Sequence, residues 1–222
     1  MAELIRGLRA ADVRANLDAV EEEIADAGGD PAAVEVLAAV KYVALEEMGV
    51  LAEAGISLVG ENRAQDLQAK AAAHPELTWD FIGHLQSRKV KDVLPHVRLI
   101  HSVGSDSVLA QLGRHAGADT EVLVEVNVAR EVGKSGIDPE ELGGFIVRCP
   151  VRVGGLMTMP PLAERPEDNR RWFAALAQLA ADHDLPRLSM GTTQDFTVAV
   201  QEGATTVRIG ARLYGGLQGS GA

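Results

Sequence analysis

The chain has 222 residues, of which 46% are hydrophobic and 24% charged, as in ordinary soluble globular proteins of one large or two small domains. Its formal net charge of -11 argues against a nucleic-acid-binding surface, because phosphate contacts along nucleic acid need clustered Lys and Arg. The single cysteine, Cys149, excludes an internal disulfide, and no apolar run approaches the ~20 residues of a membrane helix. We therefore expect a cytoplasmic protein that binds neither nucleic acid nor membrane.

The hydrophobic pattern alternates between helix and strand along the chain. It predicts an N-terminal helix over residues 4–27, in which Val13, Leu17, Val20 and Ile24 share one face. Short apolar segments, each followed by a helical pattern, then predict eight strands. These segments are residues 34–40, 56–60, 79–83, 98–103, 121–128, 151–157, 187–190 and 205–210. The tail over residues 215–222 is predicted to fray.

This regular alternation predicts a (β/α)8 TIM barrel that uses residues 1–222 as a single domain and has an extra N-terminal helix. An open doubly wound sheet is the alternative, but no glycine fingerprint of a dinucleotide fold follows the first strand. In a barrel, the carboxyl ends of all strands meet at one mouth. The residues predicted to end the strands are Lys41, Gly60, Gly83, Ser102, Asn127, Met157, Ser189 and Gly210.

Lys41 ends the first predicted strand, directly after four apolar residues. A lysine at a barrel mouth can pair with an anion, or its amine can attack a carbonyl group and form a Schiff base. A solvated surface lysine is the plain alternative.

The strongest predicted anion site follows the seventh strand, in the segment Ser189-Met-Gly-Thr-Thr193. Gly191 permits close backbone approach, the hydroxyls donate hydrogen bonds, and a following helix offers free N–H groups. The segment Arg208-Ile-Gly210 after the eighth strand supplies the neighbouring half, at the usual phosphate position of such barrels. An ordinary helix N-cap would also explain the serine and threonines.

His84 and His101 end adjacent predicted strands, a placement that also suits a metal site. Together with Glu61 they could ligate zinc. The sequence lacks the HxH and HExxH spacings, and we expect no metal.

Short motifs occur in a fixed order between about residues 34 and 215. They are Ala39-Val-Lys41, Gly60-Glu-Asn62, Phe81-Ile-Gly-His-Leu-Gln86, Ile100-His-Ser102, Val126-Asn127, Lys134-Ser-Gly136, Gly155-Leu-Met157, Leu188-Ser-Met-Gly191 with Asp195, and Val207-Arg-Ile-Gly210. In this order the chain resembles the pyridoxal phosphate (PLP) homeostasis proteins, which have the fold of the alanine racemase N-terminal domain. It departs from the family's pattern at Thr192, Thr193 and Val40, where methionine, serine and serine are usual, and at Val43-Ala44, where prolines often occur.

The resemblance implies that Lys41 carries PLP as an internal aldimine. It also implies pocket and phosphate contacts and a ring-nitrogen partner, but no catalytic residue. The implied cofactor-binding residues are Lys41, Asn62, Met157, Ser189, Gly191, Thr193, Arg208 and Gly210. Of these, Ser189, Gly191, Thr193 and Gly210 would contact phosphate, and Arg208 would lie near the pyridine nitrogen. Lys134 matches a second lysine of the family, near the site.

An arginine at the pyridine nitrogen keeps that nitrogen unprotonated, because a guanidinium cannot accept a proton. Such a ring is a poor electron sink. We therefore expect a PLP-binding protein of intracellular PLP homeostasis, with little or no turnover, as a monomer or weak dimer. PLP-dependent apoenzymes are candidate partners.

Two other functions remain open. A PLP-dependent amino-acid racemase of this barrel type would need a second domain that contributes a catalytic tyrosine. Tyr42 and Tyr214 are the chain's tyrosines, and we expect the base on the opposite face of the cofactor to be missing. A Schiff-base aldolase would use Lys41 without a cofactor.

Overall fold

The computed structural model describes residues 4–215 and contains a closed barrel of eight parallel strands in sequence order. The barrel closes where β8 pairs with β1, with Leu37 opposite Arg208. The strands are β1 Glu35–Ala39, β2 Leu58–Glu61, β3 Thr78–Phe81, β4 Leu99–Val103, β5 Glu121–Glu125, β6 Arg152–Met157, β7 Arg187–Thr192 and β8 Thr206–Ile209. The predicted (β/α)8 barrel is confirmed, and the open-sheet alternative is wrong.

Helices connect the strands and surround the barrel. They are α1 Ala10–Asp26, α2 Met48–Glu53, α3 Ala64–Ala73, α4 Val90–Val93, α5 Asp106–His115, α6 Leu142–Arg148, α7 Arg170–Asp182 and α8 Phe196–Gln201. Short 3-10 turns lie at Leu45–Glu47, Ser87–Lys89, Leu94–His96, Pro139–Glu141 and Pro166–Asn169. Within residues 4–215, no helix is long and apolar enough to cross a membrane.

The extra N-terminal helix is present but begins at Ala10, not at residue 4 as predicted. Gly7 has a positive φ of 71°, and Ile5 forms a parallel bridge with Val43 in the loop after β1. The Ile5 N–H donates to the Tyr42 carbonyl at 2.7 Å. The first residues therefore hold the loop that follows β1. Apart from residue 215, the predicted frayed tail lies outside the described residues.

Strand side chains divide between two environments, because successive residues of a barrel strand face the outer helices and the interior in turn. The layer between strands and helices is apolar and includes the four α1 residues predicted to share a face. Inside the barrel, Leu99, Leu123 and Met157 form a separate small cluster. Asp80, His101, Ser189 and Arg208 are also buried, and buried polar groups need hydrogen-bond partners. The polar partners inside the barrel position the functional site.

Candidate functional site

Lys41 lies just beyond the carboxyl end of β1 and is half-buried. Its Nζ atom lies 4.6 Å from the centre of the Tyr42 ring. Of the five lysines within residues 4–215, Lys70, Lys89 and Lys134 form ion pairs with carboxylates, whereas Lys41 and Lys91 do not. The Lys41 amine is therefore available to a ligand at the mouth.

Asn62 occupies the equivalent position after β2, since Ala39 and Gly60 are paired two residues earlier in the two strands. Its side-chain Oδ1 atom is buried and has no hydrogen-bond partner in the described part of the chain. Leaving such an acceptor unsatisfied costs about 1–3 kcal/mol. A ligand that donates a hydrogen bond there would remove this cost.

Gly83 allows the end of β3 to approach the Asn62 backbone closely. A Cβ atom at this position would lie 2.1 Å from the Asn62 carbonyl oxygen. The Ser102 hydroxyl donates to the Gly83 carbonyl and joins β4 to the same edge. The glycine and serine of the sequence motifs therefore pack the mouth.

Arg208 on β8 is buried, and two of its nitrogens donate to neutral acceptors. Nη1 donates to the Ser189 carbonyl at 2.7 Å and to Ser189 Oγ at 2.6 Å. Nη2 donates to the Thr158 carbonyl at 2.8 Å and to Met159 Sδ at 3.0 Å. Of the five N–H groups of a guanidinium, only Nε–H has no acceptor among residues 4–215. The Arg208 side chain is thus held in place, and its Nε–H remains free to donate a hydrogen bond.

Burial lowers the pKa of Arg208 to about 10, although the charges of Asp195 and Glu125 raise it. Arg208 therefore still carries its charge at neutral pH. The acceptors that contact its side chain are neutral groups, so its charge is available to a ligand that supplies an acceptor.

A chain of hydrogen bonds runs from Arg208 through the barrel. His101 Nδ1 lies 2.8 Å from Ser189 Oγ, and His101 Nε2 lies 3.0 Å from Asp80 Oδ2. Asp80 pairs with Arg98 at 2.7 Å, and Arg98 pairs with Glu35 at 2.5 Å. Because Glu35 begins β1, the chain extends from the mouth to the opposite end of the barrel.

The protonation states of His101 and Asp80 determine which atoms in this hydrogen-bonded chain donate and which accept. Burial lowers the pKa of His101, although the adjacent Asp80 raises it. Burial raises the pKa of Asp80, but the hydrogen bonds from His101 and Arg98 lower it by more than burial raises it. The net shift of the Asp80 pKa is therefore downward. A neutral His101 donates from Nε2 to the Asp80 carboxylate and accepts from the Ser189 hydroxyl through Nδ1. The Ser189 oxygen is then left to accept from Arg208.

The predicted phosphate contact of Ser189 stays a prediction, and the structure directs its hydroxyl toward His101 and Arg208. The residue is fully buried, and its hydroxyl is engaged by both His101 and Arg208. Its position inside the barrel makes it a support for Arg208. Met157, predicted to line the pocket, is 2% exposed and packs against Leu99 and Leu123.

The loops after β7 and β8 meet at Thr193, whose Oγ1 accepts from the Gly210 N–H at 3.2 Å. Its hydroxyl proton remains available, and the Thr193 and Gln194 N–H groups have no acceptor within residues 4–215. At Gly191, where φ is 86°, a Cβ would lie 2.5 Å from the Ala199 Cβ. The predicted helix begins later, at Phe196. These donors suit a phosphate group.

Asp195 fixes this loop from its buried side. Its Oδ1 accepts from the Thr192 N–H at 2.7 Å and from the Thr192 hydroxyl at 3.1 Å. Its Oδ2 accepts from Asn169 Nδ2 at 2.8 Å. Asp195 thereby engages Thr192, whereas the adjacent Thr193 hydroxyl remains available.

Two further residues from the sequence analysis, Lys134 and His101, have protein partners. Lys134 is exposed and pairs with Glu131 at 3.8 Å. Within residues 4–215, no group of three or more His, Cys, Asp or Glu side chains could hold a metal ion. His101, considered as a zinc ligand, is committed to Asp80 and Ser189.

Sequence reasoning missed the supporting residues Asp80, Lys70 and Tyr214. Asp80 contacts His101 inside the barrel, Lys70 donates to the Val40 carbonyl, and the Tyr214 hydroxyl donates to the Ala39 carbonyl. The available signal was polar residues within otherwise apolar patterns, as for Asp80 between Trp79 and Phe81.

Comparison with known proteins gives a consistent result. The chain is 38% identical over 214 residues to the pyridoxal phosphate homeostasis protein of Aquifex aeolicus (strain VF5), covering 90% of this chain and 94% of the relative. The structure of PipY from Synechococcus elongatus PCC7942, with PLP bound, is similar with a TM-score of 0.73 and 31% identity, covering 88% of this chain and all of that one. No protein-family model matches the chain.

A more distant similarity concerns the fold alone. Alanine racemase from Corynebacterium glutamicum superposes with a TM-score of 0.73 at 16% identity, covering all of this chain and 66% of the racemase. The barrel is therefore of the alanine racemase type.

The buried state of His101 predicts a pH-dependent stability. An unfolded histidine takes up a proton near its ordinary pKa of about 6.5, whereas burial resists protonation in the folded chain. Stability from this group is present above that pKa and is lost as pH falls below it, by at most ~1.4 kcal/mol per pH unit. His101→Gln retains a donor and an acceptor but removes this titration.

Chemical denaturation between pH 7 and pH 5 checks the prediction. The free energy of unfolding should fall less steeply in His101→Gln than in the wild-type chain. His115→Gln, at an exposed position, is the control. A wild-type slope in His101→Gln would contradict the account.

Proposed function

The chain belongs to the pyridoxal phosphate homeostasis protein family, and on that premise we propose that it holds PLP covalently on Lys41 and serves intracellular PLP homeostasis. The observation that carries the proposal is the set of unpaired groups at the mouth. Lys41 has no carboxylate partner, Asn62 Oδ1 has no donor and Arg208 Nε–H has no acceptor within the described residues. These groups fit a phosphorylated aromatic aldehyde.

When bound, PLP would supply an aldehyde that can condense with a lysine amine, with loss of one water, to a Schiff base. Lys41 suits this role because it is half-buried at the mouth and contacts an aromatic ring, not an acid. We propose that Asn62 Oδ1 accepts a hydrogen bond from the bound PLP.

We assign the phosphate to the loops after β7 and β8. The Thr193 hydroxyl and the free N–H groups of Thr193 and Gln194 supply donors. Gly191 and Gly210 let the backbone approach the ligand closely. In this assignment Ser189 acts from inside the barrel, through Arg208.

Arg208 limits the chemistry of the bound cofactor. Its Nε–H is the donor available to the ring nitrogen, and its other N–H groups are held by protein acceptors. With a pKa of about 10, the guanidinium keeps its proton at neutral pH. The ring nitrogen therefore remains an acceptor, and the ring withdraws electrons weakly. We propose little or no turnover for this reason.

Replacement of Lys41 tests the attachment point. The wild-type chain mixed with PLP should develop a visible absorption band that borohydride abolishes as it fixes the cofactor. Lys41→Met should lack this band, because the amine is gone. Lys134→Met, which removes an exposed lysine, should behave like the wild type. An unchanged band in Lys41→Met would place the attachment elsewhere.

A matched pair of threonine variants tests the phosphate assignment. Thr193→Val removes the available hydroxyl with little change of shape and should weaken PLP binding about tenfold, as expected for loss of a hydrogen bond to a charged group. Thr192→Val removes a hydroxyl that is bonded to Asp195. Titration of PLP should show the larger loss in Thr193→Val, and the reverse order would contradict the assignment.

Racemisation assays test the proposed lack of turnover. The PLP-loaded chain should convert L-alanine to D-alanine at trace rates at most, because Arg208 leaves the ring a poor electron sink. The assay follows D-alanine over time, with PLP alone as the blank. Rapid turnover would instead support the racemase alternative.

A further inference from the structure

Behind the mouth, between β2 and α3, two buried charged side chains form an ion pair. Lys70 is 5% exposed and Glu61 fully buried, and Lys70 Nζ lies 2.7 Å from Glu61 Oε2. Removing two charges from water is costly, and their attraction offsets this only with good geometry and additional hydrogen bonds. The remaining contacts of the pair therefore matter.

The first of these contacts reaches the backbone directly before the proposed attachment site. Lys70 Nζ donates to the Val40 carbonyl at 2.7 Å. The same carbonyl accepts from the Val43 N–H at 3.0 Å, so both of its lone pairs are used. The peptide between Val40 and Lys41 is thereby fixed, and with it the direction in which the Lys41 side chain leaves the backbone.

Glu61 holds the adjacent strand end in the same way. Its Oε1 accepts from the Asn62 N–H at 2.6 Å and from the Arg63 N–H at 3.2 Å. One ion pair therefore connects the backbone before Lys41 to the backbone of Asn62. Neither Lys70 nor Glu61 faces the mouth, because both lie between the strands and α3.

Tyr214 adds a contact to the preceding peptide. Its hydroxyl donates to the Ala39 carbonyl at 3.2 Å. Burial, and then the charge of Glu61, raise the pKa of Tyr214 and keep it a neutral donor. Two successive carbonyls before Lys41 are thus held by side chains outside the mouth.

We propose that Lys70 and Glu61 are positioning residues that aim the Lys41 amine at the aldehyde of the ligand and hold the Asn62 backbone beside it. This inference rests on the proposed function. The pair acts through Lys41 and Asn62 and makes no contact with the ligand itself. Its loss should therefore impair covalent capture selectively and leave the phosphate and ring-nitrogen contacts in place.

Two ligands separate these effects. PLP carries the aldehyde that reacts with Lys41, whereas pyridoxine 5'-phosphate has the same ring and phosphate with an alcohol instead. If the Lys41 amine is no longer correctly oriented, its reaction with PLP should slow by about tenfold to a hundredfold. A misplacement of a reacting group by about 1 Å can cause an effect of this size. Binding of pyridoxine 5'-phosphate should stay close to that of the wild type.

The main test uses the double variant Glu61→Gln with Lys70→Met, which removes both charges and so leaves no buried ion unpaired. Glutamine keeps an acceptor for the Asn62 N–H. The measurements are the rate of visible-band formation with PLP and the calorimetric Kd for pyridoxine 5'-phosphate. Lys91→Met, an exposed lysine on α4, is the matched control. Lys70→Arg keeps a donor for both Val40 and Glu61 and should restore most of the capture rate.

Glu61→Gln with Lys70→Gln is the second variant where the first double variant does not fold, because it also leaves no buried ion unpaired, and it should show the same selective loss. Unchanged capture in the folded variant overturns the inference, as does an equal loss for both ligands. Failure of the wild-type chain to capture PLP overturns the proposed function and this inference together.

Discussion

The structure depends on a guanidinium buried beneath the barrel mouth without a carboxylate in contact. Arg208 is held by the Ser189 hydroxyl and by neutral acceptors, so its charge must be stabilised by oriented dipoles. The orientation of Ser189 requires a neutral His101, and His101 in turn requires the charged Asp80. Asp80 thus determines which nitrogen of His101 carries the proton, and His101 determines the direction of the Ser189 hydroxyl. The chain from Asp80 through His101 and Ser189 to Arg208 is therefore a single hydrogen-bonded arrangement.

The mouth is supported from two sides. Inside the barrel, the chain through His101 holds Arg208, which we assign to the ring of the ligand. Outside it, the Lys70–Glu61 pair holds the backbone beside Lys41, which we assign to the aldehyde. Both supports consist of buried charges with several hydrogen bonds each. The groups at the mouth that lack partners are therefore held in position before a ligand arrives.

The sequence predicted the barrel because short apolar strands and helical patterns alternate, and it predicted residues at the strand ends for the same reason. Helix α1 begins later than predicted because Ile5 pairs with Val43, a contact between distant segments. The direction of the Ser189 hydroxyl was also not predictable, since it depends on His101, 88 residues away. Lys70 is nine residues from Glu61 and looks like an ordinary helix lysine until α3 packs on β2. Contacts between elements decided what the local patterns left open.

We propose that this family member holds PLP on one particular lysine at the mouth. The most direct measurement is reduction of the PLP-loaded wild-type chain with borohydride, followed by proteolysis and mass spectrometry of the peptides. We expect a single reduced cofactor adduct, located on Lys41. An adduct on Lys70 or Lys134, or spread evenly over the lysines, would contradict it.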